Sequence, residues 1–255
     1  FNDIGFVPTM GGIHDGHLSL INRSKKICNK TIVSIFVNPK QFNNKKDLIS
    51  YPSNFKRDLS ILKKTKKVDF VYLPKFNDIY DDTKKSKISL DQKDKILCAR
   101  YRKGHFEGVL DVMNKLTSLI NPSKIFMGKK DLQQLYLVKN YLIKRFKIKI
   151  IGCKTIRDSK GIALSSRINL LNEFELNKVG QLVQIIKKIK RNLKYRKNIN
   201  EFLNIKKKEI QRKLKIKIEY FELRNIKNFH LSNNLKNSKI FIAYYINKVR
   251  LIDNF

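Results

Sequence analysis

Ile4-Gly5-Phe6-Val7-Pro8-Thr9-Met10-Gly11-Gly12-Ile13-His14-Asp15-Gly16-His17 is a short apolar run, residues 4–7, that breaks into a glycine turn and then a helix start. Such a run followed by Pro and Gly reads as a buried strand entering a turn. Residues 17–27 follow with helical spacing, Leu18, Ile21 and Ile27 being the apolar positions. Residues 31–37 are continuous and β-branched, the pattern of a parallel strand buried on both faces, and Asn38-Pro39 ends them. Residues 54–64 read as a helix and 68–73 as a third strand, closed by Pro74. Strand, helix, strand, helix, strand predicts an α/β fold with a doubly wound, Rossmann-like parallel sheet.

The alternation continues. Residues 106–120 carry Val109, Val112, Met113, Leu116 and Ile120 on one helical stripe. A strand is expected at 124–127, a helix at 132–144 and a strand at 147–152. Sheets of this kind bind ligands past the carboxyl ends of their strands. Pro8-Thr9-Met10, Asn38-Pro39 and Gly128-Lys129-Lys130-Asp131 all fall just past such ends, so one cleft is expected to gather them. Near residue 170 the composition shifts: the prolines lie at or before Pro122, and no glycine follows Gly180. Helices at 173–195 and 200–214 and strands at 217–223, 239–246 and 249–252 predict a smaller α+β domain. The expected division is 1–170 and 171–255.

The 255 residues carry a formal net charge of +35. A nucleic-acid surface is one reading of that charge, because Lys and Arg release counterions from phosphates. Such surfaces concentrate charge on one face or tail. Here the lysines spread over expected strands (Lys147, Lys149), helices (Lys187, Lys188, Lys190) and loops (Lys84, Lys85, Lys87). Abundant Lys, Ile and Asn with no Trp fit the codon bias of an AT-rich genome, and no nucleic-acid partner is expected. No apolar stretch approaches the roughly 20 residues that span a bilayer. The first residues show no basic segment ahead of a long apolar run, so neither a signal peptide nor a membrane partner is expected. Cys28, Cys98 and Cys153 match neither a disulfide framework nor a zinc knuckle, which favours a reducing, cytoplasmic setting.

The chemistry-bearing residues cluster at the strand ends. His14 and His17, three apart at a helix start, fall on roughly one face. A helix N-terminus attracts anions, and two imidazoles there can donate to phosphate oxygens. The bland alternative is two ordinary surface histidines. Zinc spacing is absent, and no metal-ligating set is expected. Arg102 and His105 flank Gly104 and can engage a carboxylate or phosphate, or simply cap a helix. His230 reads as structural. Gly128-Lys129-Lys130-Asp131 lacks P-loop spacing, yet a Lys at a strand end can hold a phosphate as a point charge. Leu164-Ser165-Ser166-Arg167 offers hydroxyl and guanidinium donors to phosphate. Gln41 and Gln134 can bond a substrate hydroxyl or carboxylate, or be ordinary surface amides.

Taken in order, residues 8–21, 33–42, Asp47-Leu48, Tyr51-Pro52, 104–109, 128–135, 158–167 and 249–254 resemble the motifs of the pantothenate synthetase family. That family sits in the nucleotidyltransferase superfamily, whose HIGH-type motif contacts ATP phosphates. The resemblance covers nearly the whole chain. It implies ATP-dependent joining of pantoate to β-alanine through a pantoyl-adenylate, a step toward coenzyme A, by a homodimer. His17, His14 and Lys130 would carry the catalysis. Met10, Gly11, Gly12, His14, His17, Gly128, Lys129, Lys130, Asp131, Ile156, Leu164, Ser165, Ser166 and Arg167 would bind ATP. Gln41 and Gln134 would hold pantoate, with Asn38, Tyr51, Arg102 and His105 lining that region. Mg²⁺ would ride on the phosphates.

Three features depart from the family pattern. The family has a further segment ahead of the first strand. Lys40 replaces an uncharged residue between Pro39 and Gln41. Residues 97–103 lack the usual Pro before Gly104.

Overall fold

The computed structural model describes residues 3–80 and 88–255. The loop expected at Lys84, Lys85 and Lys87 lies outside the described residues. Two compact units emerge, Phe1–Ile156 and Arg157–Phe255. The first runs β1 (Ile4–Thr9), α1 (Asp15–Ile27), β2 (Lys30–Ile35), a 3-10 turn (Pro39–Gln41), α2 (Lys45–Ile49), α3 (Phe55–Thr65) and β3 (Phe70–Tyr72). It continues through α4 (Phe76–Ile79), α5 (Cys98–Tyr101), α6 (His105–Ile120), β4 (Lys124–Gly128), a 3-10 turn (Lys129–Asp131), α7 (Leu132–Leu142) and β5 (Lys149–Cys153).

All pairings in the first sheet are parallel, in the order β3-β2-β1-β4-β5. Phe6 on β1 lies opposite Ile32 on one side and Ile125 on the other. Phe6, Val7, Val33, Ile125 and Phe126 are wholly buried, which is why these strands read as unbroken apolar runs. The order reverses at β1, so the carboxyl ends of β2, β1 and β4 lie side by side, as ligand-binding sheets of this type require. The short helices α2, α4 and α5 have no counterpart in the sequence reading, because four or five residues are too few to show a period.

The second unit holds a 3-10 segment (Ser166–Leu170), α8 (Glu173–Asn192), α9 (Ile199–Leu214) and an antiparallel sheet of β6 (Lys217–Asn225), β7 (Ser238–Ile246) and β8 (Val249–Asn254). Asn172 and Glu175 form a reciprocal capping box that starts α8. Leu182, Val183 and Ile186 of α8 and Leu203 and Ile210 of α9 pack with Phe221 and Ile242 of the sheet. The boundary expected at 170 falls instead between Ile156 and Arg157. Arg157 explains the shift. Its guanidinium donates to both Asp253 oxygens at 2.7 Å and to the Asn254 carbonyl at 3.1 Å, so residues 157–170 are tied to the last strand.

Candidate active site

The site in the first unit starts from the turn between β1 and α1. Gly11 and Gly12 adopt φ of +82° and +63°, a region open to glycine at no steric cost. Asp58, on α3, closes the turn: its two carboxylate oxygens accept the Gly12 and Ile13 amides, each at 2.8 Å. Asn54 caps α3 by accepting the Arg57 amide at 3.0 Å, which sets Asp58 in the helix's first turn. Thr9 braces the other side, donating to the Ser34 carbonyl at 2.7 Å while accepting the Gly11 amide at 3.2 Å.

His14 is the N-cap of α1. Its Nδ1 accepts the Gly16 amide at 3.0 Å, and the His14 amide donates to His17 Nδ1 at 3.4 Å. With both Nδ1 atoms used as acceptors, each neutral ring carries its proton on Nε2 and presents it as a donor. The rings lie 4.2 Å apart, tilted by 39°. Burial, then the neighbouring His14 and the Lys130 charge, push His17 down to about 3. His14 is lowered as well, by burial and then Lys130. Neutral imidazole donors with a lysine charge beside them suit an anion that gains charge during reaction.

The segment after β2 is fastened to α6. Asn38 donates from Nδ2 to the Gly108 carbonyl at 3.1 Å, and the Tyr80 hydroxyl donates to Asn38 Oδ1 at 3.1 Å. The Gln41 carbonyl meets His105 Nδ1 at 2.7 Å, while the Gln41 side-chain amide reaches the Met10 sulfur. Arg102 Nη1 lies 2.9 Å from His105 Nε2, and its Nη2 lies 3.8 Å from Asp47. Tyr51 packs edge-on against Phe42, at 5.7 Å. Lys40, the departure noted in the sequence, turns its ammonium over the Tyr80 ring, 3.8 Å from its centre.

At the end of β4 the paired lysines part. Lys130 acts electrostatically on both histidines and lies 3.5 Å from Asp131. The Lys129 side chain instead passes over Gly152 of β5, where an added Cβ would meet its Cε at 3.1 Å. The two glutamines part likewise. Gln133 is buried, accepting the Cys98 amide at 3.0 Å and donating to the Ile96 carbonyl at 2.8 Å. It thereby fixes Leu97 at φ +46°, an unfavourable conformation for a branched residue. Gln134 is half-buried, and its side chain makes no hydrogen bond among the described residues.

In the second unit, Ser165 Oγ is buried with no hydrogen-bond partner among the described residues, an orphan that a ligand can satisfy. Ser166 and Arg167 open the adjoining 3-10 segment, and Leu164 is half-buried beside them. The strap before them is shaped by Asp158, whose Oδ1 accepts the Ile162 amide at 2.7 Å. Ile156 ends the first unit.

Sequence reasoning missed Asp58, Tyr80 and Asp253. Their partners are distant in the chain, and no local spacing marks them. For Gln133 a signal existed: adjacent helical residues point about 100° apart, so only one of the two glutamines can face the cleft.

The family model described as pantoate–β-alanine ligase matches residues 1–255. A pantothenate synthetase of Flavobacterium psychrophilum is 37% identical over 257 residues, spanning 98% of this chain and 90% of that protein. A pantothenate synthetase structure from Thermus thermophilus superposes with a TM-score of 0.92 at 28% identity, covering 100% of this chain and 93% of that one. A pantoate–β-alanine ligase from Francisella tularensis, solved in complex with beta-gamma ATP and β-alanine, superposes with a TM-score of 0.83 at 37% identity, covering 99% of this chain and 89% of that one. With its full length matched and its sheet, helices and histidine turn in place, the chain belongs to the pantoate–β-alanine ligase family.

Proposed function

We propose that the chain joins pantoate to β-alanine at the expense of ATP. A pantoate carboxylate oxygen bonds to the α-phosphorus, the α–β phosphoanhydride breaks, and pyrophosphate leaves. The β-alanine nitrogen then bonds to the acyl carbon, the acyl–phosphate C–O bond breaks, AMP leaves and the amine gives up a proton. The observation that carries this reading is the pair of neutral histidines with Lys130 beside them at the carboxyl end of β1. Their Nε2–H groups and the ammonium would meet the charge that passes to pyrophosphate, and positioning with neutralisation supplies most of the catalysis.

Gln41 and Gln134 hold pantoate on this reading, and Ser165, Ser166 and Arg167 take phosphate oxygens. Gly11 and Gly12 shape the ATP turn, but Asp58 already occupies the Gly12 amide, so side chains do most of the gripping. Among the described residues no group of three or more His, Cys, Asp or Glu gathers to hold a metal. On this reading Mg²⁺ would be carried by the triphosphate and water, with Asp131 as a nearby carboxylate. There Mg²⁺ would neutralise phosphate charge. Family resemblance also supports a homodimer and a cytoplasmic setting.

The test is pantoate-dependent exchange of labelled pyrophosphate into ATP, followed by addition of β-alanine. Exchange without β-alanine, then AMP and pantothenate on its addition, is expected. A folded chain that gives no exchange would overturn the assignment.

A further inference from the structure

We infer that His105 is a positioning residue, which fixes Gln41 and Arg102 from behind and does not itself touch pantoate. The inference rests on the reading of Gln41 as a pantoate contact. Its basis is the arrangement of protons that Arg102 and the Gln41 carbonyl impose on the ring. Arg102 is always a donor, so His105 Nε2, 2.9 Å from Nη1, must accept. The ring proton then sits on Nδ1 and is donated to the Gln41 carbonyl, 2.7 Å away. An imidazole has two polar atoms, and both are engaged within the protein. The side chain is only 7% exposed, with Phe106 packed 4.8 Å from its ring.

The rest of the α6 first turn serves the same end. Gly108 has no side chain, so the Lys40 carbonyl and Gln41 Cα come against the helix where a Cβ would stand. Asn38 ties the far side of the turn to the Gly108 carbonyl. The backbone of Gln41 is thus held at its carbonyl by His105 and across its Cα by Gly108, and its side chain projects to Met10. Moving His105 would swing that amide. Arg102 is held by the same imidazole and by Asp47, so one ring sets two polar groups at once.

The experiment is a double-mutant cycle read by pyrophosphate exchange, with KM for pantoate and for ATP measured separately. His105→Ala should raise the pantoate KM about tenfold, with the ATP KM within about twofold. In the Gln41→Ala background the same change should add clearly less than it does alone, at most about threefold, since the part that acts through Gln41 is already lost and only the part through Arg102 remains. His105→Asn, whose amide can still donate to the Gln41 carbonyl, should stay within about threefold of the parent. Additive effects in the cycle, or an Asn variant as impaired as Ala, would overturn the inference and place the ring against substrate. The Asn variant decides the matter even if His105→Ala does not fold. An unchanged pantoate KM in Gln41→Ala alone would instead remove the reading of Gln41, and this inference with it.

Discussion

Asp58 accepts the amides of Gly12 and Ile13 through separate carboxylate oxygens, both at 2.8 Å, from a helix that follows the next strand. A glycine turn at a strand end ordinarily offers such amides to a phosphate. Here a protein carboxylate takes that place and holds His14 and His17 in register. Asp58 is 1% exposed, and its removal strands two donors, the Ile13 amide buried and the Gly12 amide partly buried. Asp58→Ala is expected to cost about 2–4 kcal/mol in urea unfolding, at the upper end for single substitutions. A loss under about 0.5 kcal/mol would show that the turn holds itself.

His17→Ala should slow adenylate formation by about 10²–10³-fold, the usual loss for one donor to developing charge. Its neutral ring donates at every pH above about 3. The donation should therefore add no inflection to the pH profile of exchange between pH 5 and 8. Near-parental exchange by the Ala variant would rule out the role.

The same residue couples stability to pH. His17 titrates near 6.5 when unfolded and at about 3 when folded. Between those values the unfolded chain binds the extra proton, so stability is full above about 6.5 and falls as pH drops toward 3. One such proton gives a slope of up to about 1.4 kcal/mol per pH unit. Unfolding free energies at pH 7.5 and 5.5 should converge in His17→Gln relative to the parent. Equal losses in both proteins would place the proton uptake elsewhere.

How far these features are legible in the sequence depends on the range of the interaction. β1, β2 and β4 are legible because strands buried on both faces must be apolar throughout, and Phe6, Val33 and Phe126 are. The His14–His17 pair is legible because its spacing is local. Asp58 is not, because it meets Gly12 across 46 positions and any buried carboxylate looks like a surface one in a string of letters. The boundary at 156 is hidden for the same reason, since Arg157 is committed to Asp253, 96 positions on. Helical spacing says that Gln133 and Gln134 must diverge but not which way each points, and it says nothing of Lys129 against Lys130; the resemblance singles out Gln134 and Lys130, and the fold gives the directions.

That difference in direction gives a paired test. Lys130 adds its charge to the burial that holds both histidines down, whereas the Lys129 chain lies along Gly152. Lys130→Ala should cut pyrophosphate exchange by about 10²-fold, as for loss of a charge on transferring phosphate. Lys129→Ala removes a side chain but keeps the backbone of the turn, and should stay within about threefold. The reverse order would mean that Lys129 leaves β5 when nucleotide binds.

Gly108→Ala tests how closely α6 must approach the segment after β2. A Cβ there would stand 2.3 Å from the Lys40 carbonyl oxygen, 2.6 Å from its carbon and 2.8 Å from Gln41 Cα. All three are backbone atoms, so no side chain can turn aside and the two elements must part. Overpacking of this kind costs about 1–3 kcal/mol and sometimes more. Parting them also lengthens the His105–Gln41 and Asn38–Gly108 bonds, so the pantoate KM should rise together with the loss of stability. Gly128→Ala is the contrast for stability, because φ there is −75° and nothing lies within 4 Å of the added Cβ. It should unfold within about 0.5 kcal/mol of the parent. If Gly108→Ala matches it in urea midpoint and in pantoate KM, the close approach of α6 plays no part in holding Gln41.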